Sequence, residues 1–283
     1  MVRDDIRLPE MSPIYLSESS RQIVYCGGSY CLLWYYILKM RYALLADIHA
    51  NLAAFTAVLA DIERRGGVEE VWCLGDIVGY GPDPSRCIEL LRQHNHVMVS
   101  GNHDLAAIGR LDTTNFNPDA AYSCRWTAQQ LNPEDINYLE NLPSVIEKGD
   151  FTLVHGSPRG PIWEYLVSVG GAKENFAYFK SRFCLVGHSH RPLIFKLDES
   201  GNCSSARFSP GIRLVLGKCQ LIINPGGVGQ PRDGDSRASY AIYDSDGAVV
   251  KFYRVPYDIK ATQERMVRQN LPMRLVVRLQ QGV

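Results

Sequence analysis

From residue 40 onward the chain alternates short apolar runs with stretches of helical periodicity. The runs Ala43-Leu44-Leu45-Ala46, Val71-Trp72-Cys73-Leu74, Val97-Met98-Val99, Phe151-Thr152-Leu153-Val154 and Phe183-Cys184-Leu185-Val186 are brief and largely β-branched, the pattern of buried strands. Between the first two, Asn51 predicts the N-cap of a helix that gathers Leu52, Phe55, Val58, Leu59 and Ile62 on one face and stops at Gly66-Gly67. Asp83-Pro84 predicts a second helix start, with Ile88, Leu90 and Leu91 as its apolar anchors. Residues 105–148 hold no strand-like run but two more helix starts, Asn117-Pro118 and Asn132-Pro133, and read as a helical excursion. After His190 the pattern turns β-rich, with candidate strands at 193–197, 212–216, 220–223, 239–243 and 249–254 around a glycine-rich turn, Asn224 to Gln230. An amphipathic helix follows near 258–269. The expected organisation is an α/β domain over 40–257 and a helical tail over 258–283.

Residues 1–39 break this pattern. They are polar and mixed in charge up to residue 22, then apolar but interrupted by Gly27-Gly28 and rich in tyrosine. That apolar run is short of the roughly 20 residues a spanning helix needs and lacks the charged start and small-residue cleavage site of a secretory signal. The expectation is an atypical extension, with Met40 as the native start and no membrane association unless the extension is native.

Composition narrows the function classes. The 283 residues are 46% hydrophobic and 21% charged, enough for a full core, and 30 basic residues balance 30 acidic ones. A chain that grips a nucleic-acid duplex usually carries a basic face, so small substrates fit better. The eight cysteines show no close metal-binding spacing, and Cys73 and Cys184 fall inside apparent core strands. They read as reduced hydrophobes of a cytoplasmic protein rather than a disulfide framework.

The chemistry lies where the strands end. Five of the seven histidines sit in Asp47-Ile48-His49, Gly101-Asn102-His103-Asp104, His155-Gly156 and Gly187-His188-Ser189-His190, and Gly75-Asp76 adds a carboxylate. Each cluster follows one of the apolar runs, and in open α/β sheets the C-terminal strand ends form the binding crevice, so these residues read as one dinuclear metal site. Imidazole mixed with carboxylate suits manganese, iron, zinc or nickel rather than magnesium or calcium. His94 and His96 read as an ordinary turn, and the Gly226–Gly229 loop as a tight turn near the site. Trp163, Tyr165 and Tyr122 read as core or rim aromatics.

In their order, Asp-x-His, Gly-Asp, Gly-Asn-His-Asp, His and Gly-His-x-His resemble the calcineurin-like metallophosphoesterase superfamily. The flanking Gly75-Asp76-Ile77-Val78-Gly79-Tyr80-Gly81-Pro82-Asp83-Pro84 and Val154-His155-Gly156-Ser157-Pro158 are most similar to its small prokaryotic phosphoesterases. The resemblance implies a four-layer sandwich of two mixed β-sheets flanked by helices. It implies that Asp47, His49 and His190 bind one metal and Asn102, His155 and His188 a second, with Asp76 bridging. Hydrolysis of a small phosphate ester by a metal-bridging hydroxide is the implied activity, phosphatase or phosphodiesterase. His103 would donate a hydrogen bond or proton to the phosphate, its imidazole protonated near neutral pH, and Asp104 would orient its ring. A regulatory or scaffold protein that keeps fold and metals without turnover is the alternative. One departure concerns the protein phosphatases, in which Gly-Asp runs into Val-Asp-Arg-Gly with a phosphate-holding arginine; here it runs into Val78-Gly79-Tyr80-Gly81. Arg159, Arg232 and Tyr80 are the candidate replacements for that substrate contact.

Overall fold

The computed structural model describes residues 40–283 and, before them, the paired antiparallel strands β1 (Val24–Cys26) and β2 (Ser29–Cys31). The expectations for the rest of residues 1–39 lie outside the described residues. From Lys39 onward the chain forms one compact unit.

Its first half alternates strand and helix. β3 (Arg41–Leu45), β4 (Glu70–Cys73) and β5 (His96–Met98) are parallel neighbours, linked by α1 (Leu52–Arg64) and α2 (Pro84–Arg92). α3 (Asn102–Ala107), α4 (Pro118–Gln130) and α5 (Pro133–Glu140) follow, then β6 (Val145–Lys148), β7 (Phe151–Val154), α6 (Val169–Asn175) and β8 (Phe183–Leu185). The remainder is β9 (Pro192–Leu197), β10 (Cys203–Arg207), β11 (Arg213–Val215), β12 (Gln220–Pro225), β13 (Ala238–Asp244) and β14 (Val249–Val255), then α7 (Ile259–Arg268) and α8 (Met273–Gln281). The strands make two mixed six-stranded sheets, in the orders β11-β14-β13-β3-β4-β5 and β10-β9-β12-β8-β7-β6.

The two-residue period of a strand explains the layering. In β3, Ala43 and Leu45 pack toward α1 and α2, while Leu44 turns to the other face with Trp72 and meets Phe151, Leu153, Phe183 and Ile223 of the second sheet. Val154, Cys184 and Ile222 then cover the far face of that sheet against Ala172 of α6. Each wholly buried Leu or Phe contributes about 1.5–3 kcal/mol of transfer free energy, and the result is helix, sheet, sheet, helix. This is the sandwich of two mixed sheets flanked by helices.

The predicted caps hold: the Asn51, Asn117 and Asn132 side chains accept from Ala54, Ala120 and Asp135 backbone N–H groups. Asp83 stands at the N-cap of α2, but its carboxylate turns to Arg265 instead. Two strands escape the sequence reading. β6 lies within the stretch expected to be strand-free, and its Val-Ile-Glu-Lys is an exposed edge that needs little apolar content. β10 reads Cys-Ser-Ser-Ala-Arg, another exposed edge. The helical tail expected over 258–283 consists of two helices, because Pro272 separates α8 from α7. Among the described residues no helix is long and apolar enough to cross a membrane, and Cys73, Cys87, Cys124, Cys184, Cys203 and Cys219 are free thiols.

Candidate metal centre

Five parallel strands, β3, β4, β5, β7 and β8, deliver the histidine and aspartate clusters from their C-terminal ends. The turns there are sharp enough to force Asp47, His49, Asp76, His188 and His190 into the left-handed region, at φ of 54°, 49°, 55°, 61° and 55°. Non-glycine residues rarely adopt that conformation and lose free energy in it. Asp47, His49, Asp76, Asn102, His155, His188 and His190 are all buried and meet in one place. The sets Asp47-His49-His190 and Asp76-His155-His188 each bring their donor atoms within 4.8 Å of one another, as do His49, Asp76 and His103.

Proton positions test whether these donors fit a cation. A carbonyl only accepts, so His49 Nδ1 donates to Val78 O (3.1 Å), His190 Nδ1 to Gln230 O (2.5 Å) and His155 Nδ1 to Leu74 O (2.8 Å). Burial holds both His49 and His190 well below the usual histidine pKa, against the pull of Asp76 at His49 and with the Arg232 charge adding to it at His190, and they are neutral. Their Nε2 lone pairs therefore face each other at 3.1 Å. Asp47 Oδ1 lies 3.4 Å from one and Asp76 Oδ2 3.6 Å from the other. Asp47 Oδ2 and His188 Nε2 are buried without a partner, a condition that costs about 1–3 kcal/mol per group. Acceptors converging without a proton between them repel unless a cation stands among them. Beside this set, His155 Nε2 is 3.3 Å from Asp76 Oδ2, 3.0 Å from Asn102 Oδ1 and 3.1 Å from His188 Nδ1. Burial disfavours the His155 cation, but Asp76 and Asp47 outweigh burial and raise its pKa to about 9. The nitrogen and oxygen donors fit divalent metal ions.

His103 and Asp104 depart from expectation. Asp104 does not orient the His103 ring; its carboxylate accepts the backbone N–H groups of Asp76 (2.8 Å), Gly101 (2.9 Å) and Val78 (3.2 Å), fastening two ligand loops together. His103 Nδ1 instead meets the Cys124 thiol of α4 at 3.2 Å. Burial lowers the His103 pKa to about 4, with Asp76 pulling the other way, so the ring is neutral rather than protonated near pH 7. Gly79 lies directly against it: a Cβ there would stand 2.4 Å from His103 Nδ1, and φ is +87°.

A cleft of about 270 Å³ opens onto the cluster, with Tyr80, Phe116, Trp163, Tyr165 and Arg232 along its walls. Tyr165 stacks on His188 at 3.8 Å and Trp163 packs edge-on against Phe116. Tyr122 lies elsewhere, donating to Asn270 O. Of the two candidate arginines, only Arg232 lines the cleft. Arg159 is held away by ion pairs to Glu164 and Glu174. The glycine-rich turn seats the cluster from below, with Val228 and Gly229 N–H donating to Ala46 and Asp47 O at 2.9 Å. Sequence reasoning missed Cys124, Phe116 and Gln230, which reach the site from distant segments and carry no local motif.

Comparison with known proteins gives four findings. Residues 40–248 match the calcineurin-like phosphoesterase superfamily domain. Over 254 residues the chain is 41% identical to an uncharacterized protein of Methanocaldococcus jannaschii, covering 86% of this chain and 98% of that one. The crystal structure of a metallophosphoesterase from Sphaerobacter thermophilus superposes with a TM-score of 0.79 at 48% identity, covering 87% of this chain and 100% of that one. A shorter match, 31% identical over 114 residues, links 39% of this chain to 40% of the symmetrical bis(5'-nucleosyl)-tetraphosphatase of Pectobacterium carotovorum.

Proposed function

The chain belongs to the calcineurin-like phosphoesterase superfamily, and from that premise we propose that it is a dinuclear metal-dependent hydrolase of small phosphate esters. The observation that carries this reading is the pair of neutral imidazoles whose Nε2 lone pairs face each other at 3.1 Å beside two carboxylates. Asp47, His49 and His190 would hold one cation and Asn102, His155 and His188 the other, with Asp76 within reach of both sets. When bound, the pair supplies Lewis-acid polarisation of phosphoryl oxygens and an activated water.

The protein's own groups do the rest. The Cys124 thiol, its pKa pushed up by burial and then by Asp76 and Asp104, is protonated at neutral pH and donates to His103 Nδ1. That leaves the proton of the neutral ring on Nε2, where it can hydrogen-bond a phosphoryl or leaving oxygen. Arg232, anchored through Nη2 to Gln230 Oε1 at 3.0 Å, offers its guanidinium to the substrate phosphate in place of the arginine missing from the Gly-Asp block. Tyr80, with its hydroxyl 3.5 Å from Arg232, positions that guanidinium. The aromatic walls at Trp163 and Tyr165 support an organic leaving group. The match to a bis(5'-nucleosyl)-tetraphosphatase supports dinucleotide polyphosphates among the substrates to test.

The test is metal analysis and turnover of the manganese-reconstituted protein on nitrophenyl phosphate and bis-nitrophenyl phosphate, with Asp76→Asn as control. Two metals per chain and hydrolysis lost in the control are expected. Two metals with no hydrolysis of either ester would sink the catalytic reading in favour of a metal-binding scaffold.

A further inference from the structure

The cleft does not end at the histidine cluster. Tyr80, Asn117, Tyr165 and Arg232 are also walls of a second cavity, of about 780 Å³, whose far side is the Met273, Arg274, Val277 and Arg278 face of α8. The two spaces adjoin along these four residues, so a ligand longer than one phosphoryl group seated on the metal ligands can reach past Arg232 into the second.

Charge in this cavity is unbalanced. Arg232, Arg274 and Arg278 line it, and Asp119 is the single carboxylate side chain among its walls. Arg232 and Arg274 make no ion pair among the described residues, whereas Arg65, Arg159, Arg237, Arg254 and Arg265 all do. Arg232 Nε is buried and without a partner. Arg278 donates through Nε to a carboxylate oxygen of the last residue, Val283, which leaves its Nη groups free of a protein partner among the described residues. Burial and the nearby Arg232 charge both push the Arg278 pKa down, which means the two cations sit close enough to oppose each other. A neighbouring cavity of about 510 Å³ shares Arg232 and adds Arg191, Arg207 and Arg254, but there Arg254 is ion-paired to Asp233, which also lines that wall.

We infer that the cavity beneath α8 is a second phosphate subsite, in which Arg274 and Arg278 hold a phosphate of the substrate other than the one undergoing hydrolysis, with Arg232 between the two. The inference rests on the hydrolase reading above and makes the preferred substrate a compound with at least two phosphoryl groups. Guanidinium groups suit this task because they present paired N–H donors to phosphate oxygens and keep their charge.

Two arms test it, with tripolyphosphate and nitrophenyl phosphate as probes. In the first, calorimetry at pH 8 and about 0.15 M salt, where long-range fields are screened, follows tripolyphosphate binding to the metal-free protein. Arg274→Ala/Arg278→Ala is expected to weaken binding by about tenfold or more, and the exposed charge reversal Arg274→Glu gives the same direction if the double variant folds poorly. Arg207→Ala, which removes one charge from the other cavity, controls for net charge. In the second arm, the reconstituted variants should lose efficiency on tripolyphosphate about tenfold more than on nitrophenyl phosphate.

Wild-type binding in the α8 variants, or equal losses on the two compounds, overturns the subsite. Inorganic phosphate bound through Arg278 without competing with tripolyphosphate would mark an independent effector site and overturn it as well. If the reconstituted protein hydrolyses neither compound while metal-free binding still depends on α8, the hydrolase reading falls and the phosphate subsite stands.

Discussion

Asp76 connects three parts of the site at once: Oδ1 accepts the His103 backbone N–H at 2.8 Å, while Oδ2 lies 3.3 Å from His155 Nε2 and 3.6 Å from His49 Nε2. Burial opposes its ionisation, but His155, His103 and His49 outweigh burial and hold its pKa below the ordinary range. Asp76→Asn removes the negative charge of that position, so it should lower metal content and reduce turnover to background, read by metal analysis beside kinetics. His103→Ala touches no proposed ligand atom and should keep both metals while slowing hydrolysis about 100-fold or more, the usual loss for an acid–base group. Metal loss in that variant would show that His103 is a ligand. Cys124→Ala should lower kcat with little change in KM, and Cys124→Ser, which restores a donor to Nδ1, should recover part of it; equal defects would mean that the thiol only fills space. The ligands were legible in the sequence because each stands directly after an apolar run. Cys124 was not, since it is brought to His103 from 21 residues away by the packing of α4. Arg159 misled because proximity in sequence to His155 says nothing of Glu164 and Glu174, which capture its guanidinium.

Elements were readable wherever burial forces a period. β3, β4, β7 and β8 are covered on both faces, so their apolar runs stand out, and α1 shows its stripe because one side meets the sheet. Edge strands β6 and β10 carry no such constraint. Their pairing with β7 and β9 is decided by backbone hydrogen bonds that any residue supplies. How α1 is fastened also lies beyond pattern reading. Asp61, near its end, accepts from Tyr240 Oη of β13 at 2.7 Å and from Arg65 Nε at 2.7 Å. Burial raises the Asp61 pKa, yet these two bonds and the Arg65 charge lower it further, so the net shift is downward. A carboxyl whose folded pKa is depressed contributes stability that is fully present above its unfolded value, about 3.9, and is lost as pH falls through the folded value. Asp61→Asn should therefore destabilise the protein by about 2 kcal/mol at pH 7 and flatten the fall in stability between about pH 5 and pH 2. Denaturation at several pH values measures this, and parallel stability curves for wild type and variant would rule out a role for the Asp61 charge.

At the scale of the whole unit, both sheets converge on one centre: β3, β4 and β5 bring Asp47, His49, Asp76 and Asn102 from one side, and β7 and β8 bring His155, His188 and His190 from the other. α7 and α8 close over it, with Met266, Leu271, Leu275 and Leu279 packed around Tyr80, and Arg265 bonded to Asp83. The sandwich therefore stores its repulsion at the seam, where five ligand residues in left-handed conformation and opposed lone pairs are held by packing elsewhere. A ligand that binds only the folded arrangement stabilises it by mass action, about 2.7 kcal/mol at one hundred times its dissociation constant. For a unit of this size each kcal/mol is worth about 2–4 °C. Stripping metal with a chelator should consequently lower Tm, and returning manganese at that excess should raise it by roughly 5–10 °C. The rise should be much smaller in Asp76→Asn, because Asp76 is the carboxylate that lies beside both His49 of one sheet and His155 of the other. An equal rise in wild type and Asp76→Asn would place the stabilising metal away from the seam. The two sheets would then be joined by their apolar interface alone, with the buried Asp47 Oδ2 and His188 Nε2 left as an uncompensated cost of the fold.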